Sequence, residues 1–481
     1  MQESGWRRRL GDRVVRHPRQ QELEPVHIPP VSPRTPSRRF ESPLVLMYGF
    51  GSLIALGTFL LWLPLFNNQD GFTPFLIALF TATSAVTTTG LVLEESATYW
   101  NKGGQVVLMA LFTIGGVGFM STATFLLVII TQRISLTNLL IMRESTGLSQ
   151  RADMVRLTIQ VVAISLLIQA GGFLVLFWRF GFSNDPIFDN LGSAAWQAAF
   201  LSSSAFNNAG FNILPNSVSL EQFRAEFWLL GSIATMILIG GIGYGVMVDV
   251  VRLKRFNRYR LDSRLVILVS LALWMLGTVV LLIFEQGNSA TLKGLPFGQQ
   301  FMDAFFQSVS GRTAGFSSID FRATEQHTNL FFIGLMFIGG ASGSTASGIK
   351  VNTLAVILVA VVSSIRGRAH VEVFGREIAP QQVQRALTIG VLGFMSVFVV
   401  AVLLTLAERF PFIQLLFETV SAFGNVGLST GITSSLSAWG QSILVLAMFI
   451  GRLGPLTFAL ALAQREQRAI YRYSEEVVRI G

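Results

Sequence analysis

Four short loops, each centred on a glycine, carry the residues of this sequence with the clearest chemical potential. They are Thr88-Thr89-Gly90, Asn208-Ala209-Gly210, Thr313-Ala314-Gly315 and Asn425-Val426-Gly427. Glycine lacks a Cβ and adopts positive φ readily, so carbonyls of adjacent residues can turn toward a common axis. Rings of backbone carbonyls can replace the hydration shell of K⁺. We therefore predict that these loops bind K⁺ through their backbone oxygens and form a selectivity filter.

The residues around the glycines repeat in register, which supports one unit used four times. A phenylalanine stands ten residues before each glycine and a small residue five before; these are Phe80, Phe200, Phe305 and Phe417, and Ala85, Ala205, Ser310 and Ala422. A bulky apolar residue follows each glycine, namely Leu91, Phe211, Phe316 or Leu428. Shared core packing would explain the phenylalanines but not the glycines.

A second polar feature interrupts the third unit. The segment 339–348 contains Gly340, Ala341, Ser342, Gly343, Ser344, Thr345, Ala346, Ser347 and Gly348 within an apolar stretch. It fails the phosphate-loop pattern, because Ile349 separates the last glycine from Lys350 and no Ser or Thr follows that lysine. Helix-weakening residues are tolerated at membrane depth where they line a cavity, so we predict a gate here. A small-residue helix contact is the alternative.

Two arginines lie in apolar surroundings. Arg452 stands between Gly451 and Leu453, and an intramembrane charge of this kind indicates a functional site. We predict that it belongs to the gate; an arginine that only fixes the bundle is the alternative. Arg312 adjoins the third loop, and we expect it to pair with Glu418 or Asp303 behind the filter, since a bare cation there would oppose conduction.

The elements that must position these residues are membrane helices. Hydrophobic residues make up 51% of the 481-residue chain and charged residues 13%, as is typical of a membrane protein. Eight apolar segments have roughly the 20-residue length that a bilayer requires; they fall near 43–66, 105–131, 155–178, 225–251, 263–284, 329–361, 386–407 and 439–462. We predict an all-α integral membrane protein with four span–pore-loop–span repeats, in which eight transmembrane helices and four re-entrant half-helices surround a central pore.

One further glycine motif lies inside a predicted span. Ile242-Gly243-Tyr244-Gly245 resembles the filter of simple potassium channels, but the other repeats have no equivalent. We interpret it as a site of close helix packing.

Charge indicates orientation. Alternate connections carry clusters of arginine and lysine, whereas the others are acidic, so the basic side and both termini are predicted to be cytoplasmic. An acidic outer mouth would concentrate cations. The net charge of +9 therefore reports orientation rather than a nucleic-acid partner.

The predicted organisation has a basic tail, four repeats and a short C-terminal tail. The boundaries are 1–42 for the first tail, 43–131 for repeat 1, 132–251 for repeat 2 with its preceding linker, 252–361 for repeat 3, 362–463 for repeat 4 and 464–481 for the last tail. Cysteine is absent and the four histidines are scattered, so no metal site beyond the K⁺ filter is predicted.

The chain also resembles the Trk/Ktr/HKT superfamily of potassium transporters over about 43–463. The resemblance rests on RTAGF at 312–316, IGGASGSTASGIK at 338–350, FETVSAFGNVGLSTG at 417–431 and GRLGP at 451–455. It is strongest for the Ktr-type ion-translocating subunit. That family implies K⁺ uptake across the plasma membrane, a homodimer on a ring of cytoplasmic nucleotide-binding regulatory subunits, and stimulation by Na⁺. It also implies that Gly90, Gly210, Gly315 and Gly427 are filter glycines and that 339–348 and Arg452 form the gate.

Two other classes of function compete with this interpretation. An alternating-access carrier of another cation or solute would show two halves rather than four quarters. An enzyme would need a cluster of acid–base or metal-ligating residues, which the predicted pore lacks. We therefore predict no catalytic activity and no cofactor in this chain.

Overall fold

The computed structural model describes residues 44–118, 151–182, 190–214, 219–224, 226–457 and 459. The α-helices of this part are α1 (Leu44–Trp62), α2 (Phe75–Val86), α3 (Ser96–Tyr99), α4 (Lys102–Val117), α5 (Arg151–Gly181), α6 (Leu191–Phe206), α7 (Phe227–Ile242), α8 (Tyr244–Leu253), α9 (Leu261–Glu285), α10 (Phe297–Thr313), α11 (Gln326–Met336), α12 (Val351–Ile365), α13 (Pro380–Ala407), α14 (Phe412–Gly424) and α15 (Ala438–Leu453). An antiparallel hairpin of β1 (Glu372–Val373) and β2 (Arg376–Glu377) joins α12 to α13. The predicted tails 1–42 and 464–481 lie outside the described residues, as does 119–131 at the predicted end of repeat 1.

The described helices follow one order four times. A long helix comes first, then a short helix that ends at a glycine loop, then a further apolar helix. The first helices are α1, α5, α9 and α13, and each packs against the short helix that follows it, namely α2, α6, α10 or α14. The further helices are α4, α7, α11 and α15. This order places each glycine loop between two apolar helices, while the predicted repeat boundaries stay predictions.

Three described helices are long and apolar enough to cross a membrane on length and composition: 159–181 within α5, and the whole of α9 and α13. Large apolar side chains such as Leu271 and Ile283 are exposed on α9, as expected of a surface that faces lipid rather than water. The remaining apolar helices are shorter or bent. The count of eight spans therefore stays a prediction.

The predicted span over 225–251 is not one straight helix. α7 and α8 meet at an angle of 98°, because Gly243 separates them with φ of +91°, a conformation that favours glycine. A Cβ on Gly243 would lie 2.9 Å from the Ser342 carbonyl oxygen. Gly243 therefore packs closely against the non-helical segment around Ser342 rather than against a helix, at a sharp bend that the apolar pattern did not indicate.

The third unit contains the expected interruption. α11 ends at Met336 and α12 begins at Val351, and the ends of the intervening segment are bridged by the Gly339 amide, which donates to the Ile349 carbonyl at 2.9 Å. The segment also bonds to the end of α7, since the Ala341 amide donates to the Gly241 carbonyl at 2.9 Å. These bonds satisfy backbone groups that the broken helix leaves free.

The short helices lie at the centre of the core. Phe80, Phe200 and Phe417, which define the sequence register, are fully buried, whereas Phe305 is half-buried. The Phe417 ring lies 5.3 Å from that of Phe321. These phenylalanines therefore pack the short helices against their surroundings, which leaves the glycines as the part of the repeat that core packing does not explain.

Candidate ion-binding site

The short helices end in the same way in three units. The residue two positions before the glycine adopts a left-handed conformation, with φ of 54° at Thr88 and 52° at both Asn208 and Asn425. The next amide donates back to a serine carbonyl, from Thr89 to Ser84 at 2.8 Å and equivalently in units 2 and 4. The third unit differs, because α10 continues through Thr313. The four units thus differ already in the backbone of the loop.

The four glycines form a closed ring in chain order. All have positive φ, between 71° and 94°. A Cβ on each glycine would collide with the backbone carbonyl oxygen of the residue that precedes the glycine of the next unit, and the fourth unit meets the first in the same way. The colliding pairs are Gly90 with Ala209, Gly210 with Ala314, Gly315 with Val426 and Gly427 with Thr89. For Gly90 and Gly210 the separation would be 2.7 Å. Glycine is therefore required both by the backbone conformation and by the neighbouring loop.

The ring opens into a single cavity of about 460 Å³ lined by all four glycines. The four residues that precede the glycines are fully buried, so the surrounding protein rather than solvent fixes the positions of their carbonyls. Carbonyl oxygens arranged around one opening can substitute for the water shell of a monovalent cation. The geometry suits the predicted filter, although the identity of its ligands stays a prediction.

Charged side chains surround the opening. Glu94, Glu95 and Asp320 line the cavity together with one cation, Arg322. Burial raises the pKa of nearby Glu221, and the Asp320 carboxylate raises it further, whereas the arginines lower it. The opening therefore carries an excess of acidic groups, as the predicted outer mouth requires.

Side chains also join neighbouring loops. Asn425 Nδ2 donates to Thr89 Oγ1 at 2.9 Å, which links the fourth unit to the first. Asn208 Nδ2 donates to Thr313 Oγ1 at 3.4 Å, which links the second to the third. These bonds fix the register of one loop against the next, so the polar side chains before the glycines have a structural role of their own.

The expected partners of Arg312 were wrong. Its Nη2 donates to the Gly339 carbonyl at 2.7 Å, and its guanidinium lies 5.6 Å from the centre of the Trp274 ring. Asp303 instead accepts from Arg224 Nε at 2.7 Å. The freed carbonyls of the broken helix attract the guanidinium, an arrangement that could not be foreseen without knowing where 337–350 folds.

Glu418, the other expected partner, supports the fourth loop. It is fully buried, and its carboxylate accepts from Ser429 Oγ at 2.6 Å, the Thr430 amide at 2.9 Å and Thr433 Oγ1 at 2.8 Å. These groups lie just after Gly427, so the carboxylate anchors the segment that follows that loop. The run of hydroxyl residues at 429–433 could have indicated this role.

Arg452 lies where the first glycine loop and the interrupted helix meet. Its Nη1 donates to Thr88 Oγ1 at 3.0 Å and to the Thr345 carbonyl at 2.9 Å, and it also contacts Ser347 Oγ. Its Nη2 bonds to the Gly115 carbonyl. Among the described residues no carboxylate pairs with it. One guanidinium therefore connects the first loop, the interrupted segment and the helix α4.

Comparison with known proteins gives the family. A family model described as TrkH, a cation transport protein, matches residues 41–473. The chain belongs to this family. It is accordingly a multi-pass membrane protein of a family of cation transport proteins rather than of enzymes.

Individual relatives cover almost the whole chain. The Ktr system potassium uptake protein B of Bacillus subtilis is 36% identical over 92% of this chain and 97% of its own length. The potassium/sodium uptake protein NtpJ of Enterococcus hirae is 34% identical over 92% and 98%. The crystal structure of the potassium transporter TrkH from Vibrio parahaemolyticus matches with a TM-score of 0.69 at 18% identity, over 90% of this chain and 86% of that one. That structure establishes the likeness of fold.

The sequence also contains a second repeat, which is less conspicuous than the glycine loops. An Ile-Gly pair follows each filter glycine by 24 to 30 residues, at Ile114-Gly115, Ile239-Gly240, Ile338-Gly339 and Ile450-Gly451. The next residue is glycine in the first three units and Arg452 in the fourth. Glycine is common in apolar helices, so the pattern emerges only when the four units are placed in register.

Proposed function

We propose that this chain carries K⁺ into the cell through the opening between the four glycine loops. The closed ring of Gly90, Gly210, Gly315 and Gly427 carries the proposal, because it brings one glycine loop from every unit to a shared cavity. Backbone oxygens of such loops bind a dehydrated cation without a charged ligand that would hold it too tightly. K⁺ is cargo here, and no cofactor is proposed for the chain.

The names of the relatives support the choice of ion. Two Ktr system potassium uptake proteins B, from Bacillus subtilis and Vibrio alginolyticus, are 36% and 35% identical to this chain. The potassium/sodium uptake protein NtpJ adds Na⁺ as a second cation. We infer that K⁺ is the principal substrate and that Na⁺ stimulates its uptake.

The segment 339–348 and Arg452 form the proposed gate. The segment's inner part, Thr345 to Ser347, is buried and bonded to the arginine that also bonds to Thr88 of the first loop. A guanidinium at this point repels cations that leave the filter, and displacement of the segment would break two of the bonds that hold the charge in place. The proposed gate thus controls the passage of K⁺ separately from the glycine loops that select it.

The proposed setting is the plasma membrane, with both termini in the cytoplasm. The word "system" in the names of the Ktr relatives implies a further subunit. We infer a homodimer that sits on a ring of cytoplasmic nucleotide-binding regulatory subunits. The basic connections, for example Arg366 and Arg368, would face that side and the lipid headgroups.

Growth of cells that lack their own K⁺ uptake systems tests the proposal. Expression of this chain should restore growth at low external K⁺, and added Na⁺ should strengthen the effect. The Gly315→Ser variant, matched for expression, should restore growth only at higher K⁺. A well-expressed chain that supports no growth under any condition would overturn K⁺ uptake and favour a carrier of another solute.

A further inference from the structure

We propose that Gly115, Gly240 and Gly451 are positioning residues of the filter, which set ion selectivity by holding the ends of the short helices. The inference rests on the proposed K⁺ transport and assigns a role to residues outside the filter loops and the gate. Each glycine belongs to the second repeat described above and lies in the helix that closes its unit: α4, α7 or α15.

All three glycines touch the same atom of their unit. A Cβ on Gly115 would collide with the Val86 carbonyl oxygen, and one on Gly240 with that of Phe206. A Cβ on Gly451 would collide with the Phe423 carbonyl oxygen. Each carbonyl stands four residues before a filter glycine. Three separate segments of sequence thus make one contact, which chance packing does not explain.

The contacted carbonyls belong to the last turns of α2, α6 and α14, where helices leave carbonyls without intrahelical partners. A helix can come this close to the carbonyl only at a residue without a side chain, and the Cα–H groups of glycine can then face the carbonyl oxygen. The glycine therefore sets the distance between the end of the short helix and the closing helix. A single added methyl group would push the two apart.

The third unit makes the equivalent connection differently. Its closing helix has already ended at Met336, so Gly339 does not pack on α10 in this way; a Cβ there would collide with the Ser347 carbonyl. Arg312, at the end of α10, donates instead to the Gly339 carbonyl at 2.7 Å. A hydrogen bond replaces the backbone contact in the unit that has the interrupted helix.

The contact reaches the filter through a short bonded path. In unit 1, the amide of Thr89 donates to Ser84, and the Gly90 amide donates to Ser84 Oγ at 3.0 Å. Ser84 lies in the last turn of α2, beside Val86. A shift of this turn therefore moves the Thr89 carbonyl, which packs against Gly427 of the fourth unit. Discrimination between cations of similar charge depends on the positions and number of such carbonyls.

Alanine substitution tests the inference. Gly115→Ala, Gly240→Ala and Gly451→Ala are compared with Gly231→Ala, which lies in the same helix as Gly240 and meets only the Met302 side chain at 3.6 Å. Gly334→Ala in α11, where a Cβ would meet nothing within 4 Å, is the second control. The full-length protein is purified, checked by size exclusion and thermal unfolding, and reconstituted in liposomes, where K⁺, Rb⁺ and Na⁺ uptake is measured.

We expect the three test variants to remain folded and to change the Na⁺/K⁺ uptake ratio by about tenfold, while both controls keep the original ratio. Folded variants with an unchanged ratio would overturn the inference. If all three variants fail to fold while both controls fold, the inference would also be overturned, because the glycines would then be needed for packing of the fold rather than for selectivity. If the unsubstituted protein takes up no K⁺, the proposed function itself fails, which is a different outcome.

Discussion

Each filter glycine is required for two separable reasons. Its positive φ costs a substituted residue about 1–3 kcal/mol in strain, and its missing Cβ admits the carbonyl of the next unit. The first reason affects the stability of one loop, whereas the second couples each loop to its neighbour around the ring. A side chain at one glycine should therefore disturb ligands contributed by another unit.

Gly315→Ser should weaken K⁺ transport through this coupling. Its φ is +72°, and a Cβ would collide with the Val426 carbonyl oxygen. We expect the KM for K⁺ uptake to rise about tenfold, equivalent to about 1.4 kcal/mol, with reduced preference over Na⁺. Gly294→Ser is the matched control, because Gly294 has φ of +88° but open space around it. Unchanged transport by the Gly315 variant would remove it from the filter.

Arg452→Gln should separate the gating role from the structural alternative. Glutamine cannot maintain bonds to Thr88, Thr345 and Gly115 together and carries no charge that repels cations. A gate predicts that K⁺ flux rises about tenfold, as for a barrier lowered by about 1.4 kcal/mol. Arg452→Lys keeps the charge but loses the planar fork, so its flux should stay lower than that of the glutamine variant. Reduced flux together with a lower unfolding temperature would instead favour a bundle-fixing arginine.

At the scale of elements, the interrupted helix has two parts of different character. Thr345, Ala346 and Ser347 are buried, whereas Ser342 and Gly343 are exposed. The buried part also contacts the short helix α6, since Thr345 Oγ1 donates to the Phe206 carbonyl at 3.2 Å. We therefore expect the buried part, which also bonds to Arg452, to be the part that acts as the proposed gate.

Deletion of 345–347 should raise K⁺ flux about tenfold, whereas deletion of 342–344 should change it much less. The first removes two of the four bonding partners of Arg452 along with the proposed obstruction, and the second shortens the exposed side of the segment. Flux into liposomes and the retention of a folded protein in detergent are measured for both. Equal effects of the two deletions would contradict a gate confined to the buried part.

The elements differ in how far the sequence could predict them. The interruption after α11 was predictable, because Gly and Ser residues in a row destabilise a helix wherever it packs. The bend at Gly243 was not, because glycines are also common in straight membrane helices. The partner of Arg312 depends on carbonyls that only the folded segment brings near it. Local composition thus revealed the interruption after α11, but neither the bend at Gly243 nor the partners of the carbonyls that the interruption frees.

At the scale of the whole molecule, charge is distributed so that cations approach one opening. Glu94, Glu95 and Asp320 line the cavity at this opening, and the positive charge of Arg322 opposes theirs. A cleft lined by one sign of charge raises the local concentration of counter-ions, most strongly at low ionic strength. The filter would then receive K⁺ at more than its bulk concentration, independently of how tightly the carbonyls bind it.

Neutralising Glu94, Glu95 and Asp320 together, by Glu→Gln and Asp→Asn, should raise the KM for K⁺ about two- to tenfold at low ionic strength. Arg322→Gln should lower it, because the sign of the removed charge is opposite. Asp70→Asn, an exposed acidic residue that does not line the cavity, serves as the control. Uptake is measured as choline chloride is increased, and the differences should vanish near 1 M, where the Debye length falls to about 3 Å. Differences that persist at high salt would mean that these side chains act by direct contact with the ion or the filter rather than through their field.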